Sequence, residues 1–220
     1  MARSAALDLV IFDCDGVLVD SEPIANRVLA EALSEIGLAT TVASSMRDYM
    51  GRSWTACVEI FEDRLGRPLP PDFEARFWTR VEAALRAELQ PVPGIHEALE
   101  RISTPICVAS SGRPEKMRIT LGLTGLLPRF EGRIFSALDV ARAKPWPDLF
   151  LHAAARMGAA PATCVVVEDS PRGVEAGVAA GMRVLGFCGR TDAAALEAVG
   201  AEVFRDMHEL PERLGLRREP

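Results

Sequence analysis

VIFDCDGVLVDSE, residues 10–22, is the stretch from which the fold can be read. Leu9 to Phe12 is a short apolar run, and it ends in Asp13 and Asp15, two acids one residue apart, followed by Gly16. A run that is apolar throughout, rather than alternating, marks a strand covered on both faces. In an extended chain the i, i+2 spacing puts both carboxylates on one side, and Gly16 permits an immediate turn. Like charges held this close are costly unless something uses them. A calcium loop is excluded, because it needs glycine at its sixth position and glutamate at its twelfth. A solvated turn after a strand is the plainer alternative.

Further apolar runs follow the same pattern. Ile106–Ala109, Cys164–Val167 and Arg183–Phe187 read as strands, and Gly132–Phe135 and Glu202–Phe204 as weaker ones. Helical patterns lie between them over Glu115–Leu121, Asp148–Met157, Gly173–Ala180 and Met207–Leu214. Strands alternating with helices predict βαβ units and a parallel sheet. Residues 20–90 differ, with no convincing strand. Ile24, Val28, Ala32 and Ile36 share a helical face, as do Trp54, Val58, Phe61 and Leu65, and as do Phe73, Phe77, Val81, Leu85 and Leu89. The aromatic stripe of Trp54, Phe61, Phe73, Phe77 and Trp78 reads as the core of small helices. Gly66-Arg67-Pro68 breaks two of these helices, and Pro91-Val92-Pro93-Gly94 ends the segment. The picture is a helical insertion after the first strand.

The bulk numbers narrow the function. The 220 residues suffice for one domain with a large insertion or two small domains, and 49% of them are hydrophobic. A net charge of −6 and a pI near 5.2 argue against general nucleic-acid affinity, which needs a basic face, but allow a local basic pocket. No stretch approaches the roughly 18 to 20 continuous apolar residues of a membrane span, and the N-terminal apolar run is too short for a signal peptide. The five cysteines are odd in number, scattered and without a CxxC, which reads as reduced thiols in a cytoplasmic protein. His96, His152 and His208 are far apart, so a histidine-based metal site or triad is not expected.

Polar residues gather at the ends of the predicted strands, the edge where open α/β sheets bind ligands. Ser110-Ser111-Gly112-Arg113-Pro114 follows the second strand and reads as a phosphate cradle at a helix start, or as a plain helix cap. Lys144-Pro145-Trp146-Pro147 pins a lysine on stiff backbone, where it could meet a phosphate or simply lie on the surface. Glu168-Asp169-Ser170-Pro171 joins two acids to a clean helix start. Oxygen-only acids suit magnesium, and ordinary first-turn acids are the alternative.

The four motifs together, DCDGVLVDSE, VASSGRP, AKPWPDLF and VVVEDSPRGVEAGVAAGM, resemble the haloacid dehalogenase superfamily of phosphotransferases, over nearly the whole chain. The insertion resembles the small helical cap of its beta-phosphoglucomutase-like, sugar-phosphatase branch. The resemblance implies a Rossmann-like parallel α/β core from residues 1–18 and 90–220, with a helical-bundle cap at 19–89. It implies Asp13 as the nucleophile that forms an aspartyl-phosphate and Asp15 as general acid and base. Ser110 would bind a phosphoryl oxygen, and Lys144 would neutralise Asp13 and the phosphate. Mg²⁺ would be held by Asp13, the Asp15 carbonyl and Asp169, with Glu168 acting directly or through water, and the metal and Lys144 would lower the pKa of Asp13.

Asp15 favours phosphate esters over carbon–halogen substrates, since dehalogenating members lack an acid there. In this branch the cap closes over the site. Gly51 and Arg52 resemble its substrate loop, and Glu22, Ser111 and Arg113 are further substrate-binding candidates. A small cap implies a small phosphorylated metabolite, a sugar or sugar-acid phosphate, as substrate. The expected enzyme is a monomeric, cytoplasmic Mg²⁺-dependent phosphatase, with a hexose phosphomutase of the beta-phosphoglucomutase type as the alternative. The mutase pattern places an arginine three residues after the cap glycine, where this chain has Trp54.

Overall fold

The structure is a computed structural model, and it describes residues 7–50, 52 and 54–216. They form two compact units, one made of the chain up to Val19 together with the chain from Pro91 onward, the other of Asp20–Gln90.

The first unit is built on a six-stranded parallel sheet in the order β3-β2-β1-β4-β5-β6. The strands are β1 (Leu9–Phe12), β2 (Ile106–Ser110), β3 (Ile134–Ser136), β4 (Cys164–Glu168), β5 (Arg183–Phe187) and β6 (Glu202–Phe204). Val10 pairs with Ile106 on one side and Val165 on the other, so β1 is central. Every residue of β1 is buried, as its unbroken apolar run predicts. Leu9 and Ile11 join the core formed with Leu149 and Phe150 of α8 (Asp148–Arg156) and Val174 of α9 (Pro171–Ala179). Phe12 meets Phe130 of α7 (Leu127–Phe130) edge to face, with ring centroids 6.0 Å apart.

Strand order reverses at β1, which places the carboxyl ends of β1, β2 and β4 side by side at the switch point of the sheet. Among the described residues no helix is long and apolar enough to cross a membrane. All five cysteines are buried and free.

The second unit holds α1 (Glu22–Glu35), α2 (Val42–Tyr49), α3 (Trp54–Leu65) and α4 (Phe73–Glu88). Its core contains Val28, Leu33, Phe61, Phe77, Val81 and Leu85. Trp54 stacks on Phe77 with ring centroids 5.0 Å apart, so the aromatic stripe packs helix on helix. A polar contact lies inside this core: buried Ser45 donates to the Asn26 side-chain oxygen at 2.8 Å, and Asn26 donates in turn to Glu22.

Four helices have no counterpart in the sequence reading: α2, α5 (Ile95–Glu100), α7 and α10 (Ala193–Glu197). In α2 only Ser45 and Tyr49 are buried, so no apolar stripe announces it, and its start is fixed by a reciprocal Thr41–Ser44 capping box. The single helix expected over Met207–Leu214 is instead a 3₁₀ turn, Met207–Glu209, followed by α11 (Leu210–Arg213) with Pro211 in its first turn. Proline cannot donate the backbone bond that a continuous helix needs there. Between α5 and α7 lies α6 (Pro114–Leu123).

Candidate active site

The site grows from strand ends. Asp13 continues the ladder one step past β1, its N–H donating to the Val167 carbonyl at 2.9 Å. The chain then turns tightly, with Leu18 and Val19 N–H both returning to the Cys14 carbonyl. Gly16 sits in this turn at φ 78, where an L side chain is strained, and a Cβ there would collide with the Asp169 carboxylate. The turn that aims Asp15 is therefore also what lets Asp169 approach β1.

Lys144 is buried, and each of its ammonium protons has an acceptor. Nζ donates to Asp13 Oδ1 at 2.7 Å, Glu168 Oε1 at 2.7 Å and the Ala109 carbonyl at 3.1 Å. The backbone of Lys144 is itself held, because Arg172 donates to its carbonyl at 2.8 Å. The other oxygen of Glu168 accepts from the N–H groups of Asp169 and Ser170 and from the Ser170 hydroxyl. Ser170 caps α9 by accepting from the Gly173 N–H at 3.1 Å. Gly173 is required here, since a Cβ would overlap the Glu168 carboxylate.

Ser110 is buried at the end of β2 and accepts from the Gly112 N–H at 3.3 Å. The Ser136 hydroxyl of β3 holds the same loop from below by donating to the Gly112 carbonyl at 2.7 Å. Ser111 and Arg113 are exposed in that loop. Lys116, in the first turn of α6, pairs with both carboxylate oxygens of Asp15 at 2.9 and 2.8 Å. Lys116 is absent from the residues singled out by motif. Its signal was rarity: Lys116 and Lys144 are the only lysines in an arginine-rich chain, and both meet carboxylates here.

Burial raises the Asp13 carboxyl to about 7. The Lys144 charge opposes this, and the Glu168 and Asp15 charges add to it. Without a bound cation, then, burial outweighs the lowering expected from Lys144. Burial works to lower Lys144, but the Asp13 and Glu168 charges outweigh it and push the ammonium up. The Cys14 thiol is pushed well up by burial and by the two neighbouring aspartates, so it packs rather than reacts.

Asp13, Glu168 and Asp169 offer carboxylate oxygens that all lie within 4.8 Å of one another. Four acids, Asp13, Asp15, Glu168 and Asp169, face two ammonium groups, Lys144 and Lys116. With all of them ionised the balance is two negative charges. Hard oxygen donors with that residual charge fit a small divalent cation such as Mg²⁺.

The second unit carries the remaining candidates. Arg52 is exposed and donates to the Asp48 carbonyl at 2.7 Å. Glu22 opens α1 and accepts from Asn26. Gly51 lies outside the described residues.

Comparison with known proteins identifies the family. Residues 7–181 match the family model of the haloacid dehalogenase-like hydrolases. The chain is 32% identical over 208 residues to 6-phosphogluconate phosphatase of Escherichia coli K12, covering 94% of each. It is similar to the structure of a haloacid dehalogenase-like protein of unknown function from Agrobacterium tumefaciens, with TM-score 0.87, 37% identity and coverage of 96% and 98% of the two chains. A family hydrolase from Deinococcus radiodurans with bound phosphate and sodium matches with TM-score 0.84, 31% identity and coverage of 99% and 100%.

Proposed function

As the chain belongs to the haloacid dehalogenase-like hydrolases and is a phosphatase of that family, we propose that it hydrolyses small phosphorylated sugars or sugar acids, by way of an aspartyl-phosphate on Asp13. The observation that carries this reading is the Lys144 ammonium bridging Asp13 and Glu168 beside Asp169, with Asp15 two residues from Asp13. The likeness to a 6-phosphogluconate phosphatase supports a sugar-acid phosphate as the first substrate to try.

Asp13 attacks phosphorus with a carboxylate oxygen, forming the acyl phosphate as the ester P–O bond breaks. Asp15 gives its proton to the departing sugar oxygen, then takes one from the water that attacks phosphorus and frees Asp13. Lys144 holds Asp13 Oδ1, so the aspartate presents a fixed edge to the phosphoryl group. Ser110 and the N–H groups of the loop leading into α6 receive the phosphoryl oxygens. Asp13, Asp169 and the Asp15 carbonyl would hold Mg²⁺. Glu168 acts through water or as a brace, because both its oxygens already accept protein hydrogen bonds. When bound, the cation offsets the repulsion between Asp13 and the phosphoryl group.

Lys116 pairs with Asp15 in its ionised form. The pair must loosen for Asp15 to take up and deliver a proton, which makes Lys116 a positioning residue.

The test is phosphate release with Mg²⁺ from 6-phosphogluconate, hexose phosphates, hexitol phosphates, phosphoglycolate and nucleotides, with EDTA and Asp13→Asn in parallel. Metal-dependent release concentrated on sugar or sugar-acid phosphates is the expected result. Release confined to nucleotides would overturn the substrate class. Conversion of glucose 1-phosphate to glucose 6-phosphate without free phosphate would assign a mutase.

A further inference from the structure

Most described arginines of this acidic chain are held by a carboxylate or a backbone carbonyl, as Arg80 is by Glu35 and Arg172 by Lys144. Arg118 and Arg156 are exceptions. Among the described residues neither has a hydrogen-bond or ion-pair partner, and both line the same cavity of about 330 Å³. The cavity lies at β3, an edge strand of the sheet, where no further strand among the described residues covers Ile134 and Phe135. Arg118 reaches it from α6, while His152 and Arg156 come from α8.

The floor is Phe135, whose ring meets the His152 imidazole edge to face at 5.6 Å and lies 5.9 Å from the Arg156 guanidinium. Asp139 is the one acid in the lining. Its carboxylate is turned to the Ser136 N–H at 2.8 Å, where it closes a capping box. Two guanidinium groups without a counter-ion thus share a hollow with one acid engaged elsewhere. The cavity is of ligand size, and planar guanidinium forks suit the paired oxygens of a carboxylate or phosphate. Asp13, Asp15, Ser110 and Lys144 take no part in its wall.

We propose that this cavity is a second binding site, separate from the catalytic centre, for a small dianionic metabolite bearing a phosphate or a pair of carboxylates. Arg118 and Arg156 clamp the anion, and His152 and Phe135 pack against its carbon skeleton.

The test is an NMR titration of the full chain with ¹³C-labelled histidine, in EDTA, using inorganic phosphate and succinate as separate probes and glucose as the neutral control. His152 lines the cavity, whereas His96 and His208 lie elsewhere and serve as internal references. The His152 ring signals should move and saturate with at least one dianion, while His96, His208 and the glucose titration stay still. A response to phosphate alone assigns the phosphate class, and a response to succinate alone assigns the dicarboxylate class. In Arg118→Gln and in Arg156→Gln the half-saturation concentration should rise about tenfold or more, the loss expected for one charge-assisted pair. Each variant should keep the phosphatase activity of the parent, which certifies its fold. No His152 movement with either probe into the tens of millimolar, or unchanged half-saturation in both variants, would overturn the proposal.

Discussion

Replacing Asp13 by asparagine should stabilise the metal-free protein while destroying its activity, and the gain should depend on pH in a defined way. Asp13 is buried, and its carboxyl is raised from 3.8 to about 7. A raised acid keeps its proton longer in the folded state than in the unfolded chain. Stability contributed by Asp13 is therefore present at low pH, begins to fall above about 3.8, and is lost as pH passes about 7. Of the interval between 3.8 and about 7, roughly two units lie above pH 5, which corresponds to about 3 kcal/mol between pH 5 and pH 8. Asparagine has the same shape and no charge, so it escapes this penalty. It also weakens the Lys144 contact, and the part of that loss that grows as Asp13 ionises is already contained in the value of about 7, which the Lys144 charge holds down. Groups remote from the site are the same in both proteins and cancel in the difference, while Asp15 and Glu168 act on the pair through the charge of Asp13. Urea unfolding in EDTA at pH 5 and pH 8 reads the quantity directly. The wild type should lose about 3 kcal/mol more than Asp13→Asn across that interval, and saturating Mg²⁺ should recover most of that loss. Equal pH dependence in the two proteins would refute the reasoning, since burial would then not be what opposes the Asp13 charge.

Gly16→Ala should fold but bind Mg²⁺ about tenfold more weakly or worse, because the new methyl displaces the Asp169 carboxylate and strains a left-handed backbone; calorimetric titration with Mg²⁺ checks it. Lys116→Met should lower kcat by about tenfold or more with little change in KM, since Asp15 loses the contact that aims its carboxylate while the phosphate loop is untouched; steady-state kinetics against the preferred ester decide. Phe61→Ala, at the centre of the helical unit, should cost about 3 to 5 kcal/mol in urea unfolding.

Much of this was legible in the sequence because the sheet is parallel and covered on both faces. Continuous runs such as Ile106–Ala109 and Cys164–Val167 then identify strands without any alternation to interpret, and the polar residues that follow them mark the ligand edge. Asp13, Lys144 and Glu168 meet because β1, β2 and β4 are neighbours at the switch point, an arrangement that the motif order implies and the sheet order provides. What could not be read were contacts made by residues of ordinary type on ordinary helix surfaces. Lys116 sits in a first helical turn like any solvated lysine, and only the three-dimensional approach of α6 to the Asp15 turn gives it a partner. Arg172 and Ser136 act through backbone carbonyls, which leave no trace in a pattern of side chains. Ser45, fully buried and bonded to Asn26, inverts the usual reading of a polar helix position and so hid α2.

The most direct test of Asp13 as the attacking group is the Mg²⁺-dependent kcat/KM of Asp13→Ala against the preferred phosphate ester, measured beside Asp15→Ala and Asp169→Ala in protein shown to be folded. Loss of activity in Asp13→Ala by about a thousandfold or more is the predicted result, since no other carboxylate takes the same place beside Lys144 at the end of β1. Retention of even a tenth of the parental activity would contradict it and return the nucleophile to water.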